Sequence, residues 1–228
     1  MNISVSVVLS AVAVAVAGGQ APSQKRAVCL EAGATAIPAR LLPIDEAAKQ
    51  PEFFTFRARL QVAVAAKDVD AVVAAADRNI KLGFGGADGI DRLRAQLIAP
   101  DAAGVWKAIA RVLALGGSFK GSSAFEAPYV FANWPHGIDS FECQAVVGAS
   151  VLVRQRASPE APSVARVSYA IVQNLGGKDL PDDWSAVRLA GGQKGFMRSE
   201  FLAGPTGLRA IFNLRQGQWR LMALVAGD

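Results

Sequence analysis

The residues most capable of covalent catalysis are the single histidine, His136, and Cys143, which follows it closely in the chain. A cysteine–histidine pair forms a thiolate nucleophile when the cysteine lies where its pKa is lowered, as at a helix N-terminus. Cys143 lies instead in the strand-like run 140–147, and His136 lies in a loop. One histidine and two distant cysteines also fall short of a zinc ligand set. The sequence therefore predicts a protein that is not an enzyme and needs no cofactor.

A glycine-rich segment, 83–89, lies between a strand-like run and a helix-like run, where a phosphate-binding turn would lie. The third glycine of a G-x-G-x-x-G pattern is replaced by Asp88. A carboxylate at this position repels a pyrophosphate. We therefore interpret the segment as a tight turn in which Asp88 caps the following helix.

Short alternating apolar runs fill residues 147–202, and glycine or proline separates each run from the next. The runs are 150–154, 164–172, 184–189 and 195–202. Short strands at such spacing are typical of a small β-barrel or sandwich.

This stretch resembles the bacterial SH3-like (SH3b) family. The family pattern opens with G-x-x-V-N-V-R, continues through a W-x-x-V strand, and ends with G-[WYF]-[VM] and [YF]-L. The matching residues are Gly148, Val151, Val153, Arg154, Trp184, Val187, Gly195, Phe196, Phe201 and Leu202. Leu152 departs from the usual asparagine, and the proline of the first loop comes late, at Pro159. The resemblance covers about a quarter of the chain and implies a fold rather than a function.

Aromatic rings and cations within this stretch are the candidate binding residues. Stacking faces beside cationic donors suit sugar rings, peptides and carboxylates. The candidate ligand-binding residues are Arg154, Arg156, Tyr169, Trp184, Phe196 and Phe201. The alternative is that Trp184 and Phe196 belong partly to the core.

The N-terminus has an apolar run, 3–17, that is shorter than the roughly 20 residues needed to span a bilayer. The run ends in Ala15-Val16-Ala17, an A-x-A cleavage signal, and polar residues follow. We interpret it as a signal peptide, with an uncleaved membrane anchor as the alternative. Secretion would permit a disulfide between Cys29 and Cys143; the alternative is two separately buried thiols.

Composition and charge argue against a disordered chain and against a nucleic-acid-binding protein. A hydrophobic fraction of 52% supports a folded core. The net charge is +5, and from residue 146 onward ten Lys and Arg stand against six Asp and Glu. This bias favours an anionic partner but lacks the clustered basic stripe of a nucleic-acid binder.

The first half of the chain has helical periodicity. Phe53, Phe56, Leu60 and Val64 share one helical face after Pro51. Asp68 is placed to cap a second helix with inward Val69, Val72, Val73 and Ala76, and a strand-like run follows at 80–84. Helices are also predicted after Asp88 and from Val105 to about Leu115. Residues 119–138 read as irregular.

The last residues, 208–214 and 219–225, alternate on either side of Arg215–Gln218 and predict a β-hairpin. Together with the N-terminal helices, an F-x-x-F start and a G-x-W-x-L end, this hairpin resembles part of an NTF2-like α+β cone. The hairpin would then complete the N-terminal domain, with the SH3-like stretch inserted before it.

The predicted fold class is α+β, with a helix-rich N-terminal domain, a small SH3-like β-barrel and a C-terminal β-hairpin. The predicted divisions are a signal peptide 1–17, a leader 18–50, a helical domain 51–145, the barrel 146–203 and the hairpin 204–228.

The expected function is that of a secreted or periplasmic, non-catalytic envelope protein whose module binds peptidoglycan or a peptide. One alternative is a structural protein–protein interaction module without a free groove. The other is a wall hydrolase of the Cys/His type. No nucleic-acid partner is expected, and membrane contact is expected only through an uncleaved signal segment. The oligomeric state is left open.

Overall fold

The computed structural model describes residues 39–86, 88–177 and 179–227, which form helices and two β-sheets. The helices are α1 (Pro51–Ala65), α2 (Val69–Ala75), α3 (Ile90–Ile98), α4 (Ala103–Ala114) and α5 (Tyr129–Ala132). The strands are β1 (Ala76–Lys81), β2 (Ser118–Phe119), β3 (Ala124–Ala127), β4 (Cys143–Val146), β5 (Val151–Arg154), β6 (Ser163–Val167), β7 (Ile171–Gly176), β8 (Trp184–Arg188), β9 (Lys194–Arg198), β10 (Leu202–Ala203), β11 (Arg209–Arg215) and β12 (Gln218–Val225). The predicted signal peptide and Cys29 lie outside the described residues.

The first sheet has five strands in the order β1-β12-β11-β3-β2. The predicted C-terminal hairpin is confirmed as β11 and β12, and it occupies the middle of this sheet. Gln216 and Gly217 form its turn with φ of 51° and 75°, which suits a two-residue hairpin loop. β12 also pairs in parallel with β1, so the sheet joins segments far apart in the chain.

Helix α1 packs its predicted apolar face onto this sheet. Phe53, Leu60 and Val64 are at most 3% exposed, because the helical period places them on one side. Phe53 lies among aromatic rings from α1 and the sheet, with centroid distances of 4.3 to 6.3 Å. These rings are Phe56, Phe119, Phe125, Phe212 and Trp219. Together with α3 and α4 they form the larger core.

Two local predictions, the end of α2 and the role of Asp88, need correction or adjustment. Asp68 does cap α2, accepting from the Ala71 amide at 2.9 Å, but α2 ends one residue early and Ala76 begins β1. Asp88 does not cap α3: its carboxylate accepts from Lys81 and from the Leu82 amide, and Gly89 is the N-cap. Glycine at φ 94° starts the helix there, so the carboxylate is free to bind the preceding strand.

The segment 119–138, predicted as irregular, contains part of β2, all of β3 and α5. β3 lies between β2 and β11, and its Phe125 and Ala127 are fully buried. The strands are too short for alternation to show in the sequence, and pairing with the distant β11 is what orders them.

The second sheet has seven strands in the order β10-β4-β7-β8-β9-β5-β6. The described residues therefore form an α+β fold with two open sheets. The predicted closure into a barrel is not observed among them, because the two edge strands, β10 and β6, do not pair with each other. β10 has only two residues, and both pair with β4. The core of this sheet consists of Val146, Val151, Val153, Ala170, Val172, Val187, Leu189, Met197 and Leu202.

Residues 39–50, assigned to the leader from the sequence, connect the two sheets. The Leu41 amide donates at 2.9 Å to the carbonyl of Tyr169, which lies in the bend between β6 and β7 of the second sheet. On the other side, Asp45 accepts two hydrogen bonds from Arg57 of α1, at 2.7 and 2.6 Å. The guanidinium of Arg57 is buried, with a side chain 6% exposed, while Asp45 is 47% exposed.

We expect Asp45→Ala to lower the free energy of unfolding by about 2 kcal/mol, because it leaves a buried guanidinium unpaired. Because the Asp45 side chain is about half exposed to water, we expect a smaller loss of stability than for a fully buried ion pair. The matched control is Asp70→Ala, which breaks the exposed Asp70–Arg94 pair and should change stability by less than about 0.5 kcal/mol. Urea unfolding measures both. Equal effects for the two variants would contradict the prediction.

Candidate ligand-binding groove

The outer face of the second sheet gathers polar and aromatic residues from β5, β8 and β9. Trp184 pairs across the strands with Arg198, and Phe196 pairs with Arg154. Because directly paired residues project to the same side of a sheet, these four side chains share one face. The opposite face carries Val153, Val187 and Met197, each fully buried. Because successive side chains of a strand point to opposite faces, one face of these strands forms core and the other forms a candidate site.

A groove of about 260 Å³ opens on this outer face. Its lining comes entirely from the second sheet and its loops: Ala149, Ser150, Val151, Leu152, Arg154, Pro159, Trp184, Arg198 and Phe201. Trp184 is 7% exposed, yet it belongs to none of the described clusters of buried apolar side chains. The indole ring of Trp184 is thus nearly closed to solvent at the floor of the groove.

Arg198 covers that ring. Its guanidinium carbon lies 5.0 Å from the centroid of Trp184, within the range of a cation–π contact. The same guanidinium forms an ion pair with Asp183, whose side chain is 57% exposed. The tryptophan, the arginine and the aspartate thus form a stack that ends in solvent.

Arg154 holds the loop between β5 and β6 against the groove. Its guanidinium donates to the Ala161 carbonyl at 2.6 Å. In the same loop, the Ser158 hydroxyl donates to Glu160 at 2.5 Å. This bond, the backbone amide of Glu160 and the fields of Arg154 and Arg198 hold the pKa of the Glu160 carboxyl below its usual value. Glu160 is therefore an anion near both groove arginines.

Three of the six predicted binding residues line the groove: Arg154, Trp184 and Phe201. Phe196 is half-buried on the same face but outside the lining, and Arg156 is exposed beyond it. Tyr169 lies elsewhere, with φ of 54°, where its backbone bonds Gly148 and Leu41.

The lining residues that the sequence did not indicate as binding residues are Arg198, Leu152, Val151, Ala149, Ser150 and Pro159. For Arg198 the signal was present, because alternation from Phe196 places it on the same face of β9. Leu152 lies two residues before Arg154 on β5, so alternation places it on the same face as well. Ser150 and Pro159 lie in loops, whose approach to the groove depends on the paths that the loops take.

Cys143 and His136, the pair weighed in the sequence analysis and set aside there, lie in different surroundings. Cys143 is 1% exposed in β4, and His136 is exposed in a turn. The disulfide from Cys143 to Cys29 stays a prediction, because Cys29 lies outside the described residues. Within the described ranges, no group of three metal-ligating side chains occurs. No helix in that part of the chain has the length and hydrophobicity to cross a bilayer.

A larger cavity of about 500 Å³ lies between α1, α2 and the turn of the C-terminal hairpin. Its walls include Phe56, Leu60 and Trp219, and its rim includes Arg220. That guanidinium is already bound to the Ala74 carbonyl at 2.6 Å and to Gln218 at 2.7 Å. The indole nitrogen of Trp219 is buried without a partner, so it does not face the open cavity. The groove is the better candidate because its cation is stacked and exposed.

Comparison with known proteins does not identify this chain. No family model and no curated protein matches it. Among solved structures, it is similar to an NTF2-like protein of unknown function from Pseudomonas putida KT2440, with 13% identity and a TM-score of 0.26, over 80% of this chain and 87% of that one. It is also similar to a protein of unknown function with a cystatin-like fold from Nostoc punctiforme, with 14% identity and a TM-score of 0.25, over 81% and 94%. TM-scores this low do not establish a shared fold.

Proposed function

We propose that residues 146–203 form an SH3-like module whose outer groove binds a peptide or the peptide-bearing polymer of the bacterial cell wall. The protein is then a secreted or periplasmic, non-catalytic envelope protein. The observation that carries the proposal is the groove itself, where an aromatic floor, a stacked cation and an aromatic wall lie together. Such a set binds apolar and charged parts of one ligand at once.

The motif glycines support the SH3-like arrangement. A β-carbon on Gly148 would lie 3.0 Å from the Val151 Cγ2 atom, and one on Gly195 would lie 2.5 Å from the Val153 Cγ1 atom. Close packing around β5 therefore requires glycine at position 195, whereas at position 148 the valine methyl would have to move by a few tenths of an ångström. The motif residues that carry the resemblance are also the residues that let the strands approach.

The alternative of a purely structural module is less well supported. That alternative predicts both Trp184 and Tyr169 buried under the N-terminal domain, and Tyr169 is only half-buried. All groove-lining residues instead fall within 149–201, and none comes from α1 to α4. The hydrolase alternative would need an activated nucleophile, and Cys143 is buried at the start of strand β4, away from a helix N-terminus.

The test is retention of the full chain on isolated bacterial sacculi. We expect Phe201→Ala to weaken retention about fivefold, because it removes an exposed aromatic wall worth about 1 kcal/mol. The matched control is Phe141→Ala, an exposed phenylalanine outside the groove, which should leave retention unchanged.

Both variants should keep their melting temperature within a few degrees, since both rings are exposed. Equal retention of the two variants would overturn the groove as the binding site. Release of soluble muropeptides by the wild-type protein would overturn the non-catalytic proposal.

A further inference from the structure

The groove is lined by two arginines, and a carboxylate of this chain, Asp183, lies at its rim. Its lining includes Arg154 and Arg198 but no carboxylate. Asp183 pairs with Arg198 from the rim. The chain therefore already supplies, at the rim, the chemical group that its groove is built to attract.

The Asp183–Arg198 pair is easily exchanged. Its side chains are 57% and 38% exposed, and exposed ion pairs contribute little net stability because water screens them. A guanidinium presents a planar fork that fits a carboxylate with two parallel hydrogen bonds. Another carboxylate arriving at Arg198 would replace Asp183 without loss of bonding.

The aromatic groups add a second requirement for the ligand. Arg198 is held over Trp184, and Phe201 forms a wall of the same groove. A ligand that draws Arg198 toward itself uncovers part of the indole face. The apolar portion of the ligand next to its carboxylate then lies against Trp184 and Phe201.

We propose that the groove recognises a carboxylate on a peptide, which displaces Asp183 from Arg198, while Asp183 acts as a built-in competitor. This inference rests on the proposed function, because it names the ligand group for the same groove. It predicts that removing the competitor strengthens binding, whereas a purely structural role for Asp183 predicts the opposite.

The experiment uses soluble muropeptides as the probe, released from sacculi by a muramidase and divided into two portions. One portion is left intact, and in the other the carboxylates are converted to amides with carbodiimide and ammonia. Isothermal titration with the full-length protein measures both. We expect the intact portion to bind about tenfold more tightly, as removal of a charge-assisted hydrogen bond predicts.

Variants isolate the role of each residue. Asp183→Asn should tighten binding of the intact probe about threefold, the size of an exposed ion pair, and leave the amidated probe unchanged. Its matched control is Asp182→Asn, the neighbouring exposed aspartate, for which no ion pair occurs among the described residues. Arg198→Gln should reduce binding of the intact probe to the level of the amidated one.

The outcomes separate this inference from the proposed function. If both probe portions bind equally, the carboxylate inference is overturned while the groove remains a binding site. If neither binds to the wild-type protein, the proposed function is overturned and the inference with it. Weaker binding of the intact probe by Asp183→Asn would show that Asp183 positions Arg198 rather than competes. If Arg198→Gln fails to fold, the Asp183→Asn comparison still decides.

Discussion

Replacing Phe53 with alanine is expected to lower the free energy of unfolding by about 4 kcal/mol, as for large aromatic truncations in packed cores. Phe53 is fully buried, and its ring contacts five other aromatic rings from α1, β2, β3, β11 and β12. Its loss therefore leaves a cavity bordered by elements from both ends of the chain. The rigid sheet on one side prevents the cavity from closing, so the cost includes lost contacts as well as lost burial.

The adjacent residue gives a matched control. Phe54 is 48% exposed, about 100° around α1 from Phe53, so Phe54→Ala removes the same atoms from a partly solvated position. We expect a change below about 1 kcal/mol, because little apolar area is lost from the interior. Urea unfolding followed by circular dichroism at helical wavelengths measures both variants. Equal destabilisation would mean that the aromatic cluster does not hold α1 to the sheet.

The helix that carries Phe53 illustrates what the sequence reveals. Its apolar spacing, the Pro51 start and the Asp68 cap of the next helix all act within a few residues, so local chemistry predicts them. The C-terminal hairpin is equally local, because Gln216 and Gly217 determine its turn. These elements are observed where the pattern places them.

Long-range pairing is what the sequence does not reveal. Ala76 of β1 pairs with Leu221 of β12, and Leu41 bonds Tyr169, although no local pattern links these residues. The irregular reading of 119–138 is wrong for the same reason, because β3 is ordered by β11. The predicted cap at Asp88 is wrong because a carboxylate between a strand and a helix has partners on both sides, and the tertiary path selects Lys81 and the Leu82 amide.

In the groove too, residues on strands follow from local patterns, whereas contacts made by loops do not. The motif pointed to Trp184 and Phe201, and alternation would have added Arg198. The stack of Asp183, Arg198 and Trp184 depends on the loop before β8, whose path the sequence does not specify. Tyr169 is predicted as a binding residue, but its backbone adopts a left-handed conformation and bonds Leu41, outside the groove lining.

Replacing Gly195 with alanine is expected to destabilise the second sheet by about 3 kcal/mol, the upper part of the range for overpacking. An added β-carbon would lie 2.5 Å from the Val153 Cγ1 atom and 2.8 Å from the Arg154 carbonyl oxygen. The valine methyl lies in a packed core and the carbonyl belongs to a strand, so β9 must move away from β5. These strands are joined by a single residue pair, Arg154 with Phe196, which the movement would break.

The same movement would displace the groove, because β9 carries Arg198 only three residues beyond Gly195. Gly195→Ala should therefore lower both the melting temperature and retention on sacculi. The matched control is Gly204→Ala, where the nearest atom to an added β-carbon is 3.7 Å away and no positive φ is required. That variant should behave like the wild type in both measurements. A Gly195→Ala protein with unchanged melting temperature would show that β5 and β9 are not packed as closely as the motif requires, and the SH3-like arrangement would fall with it.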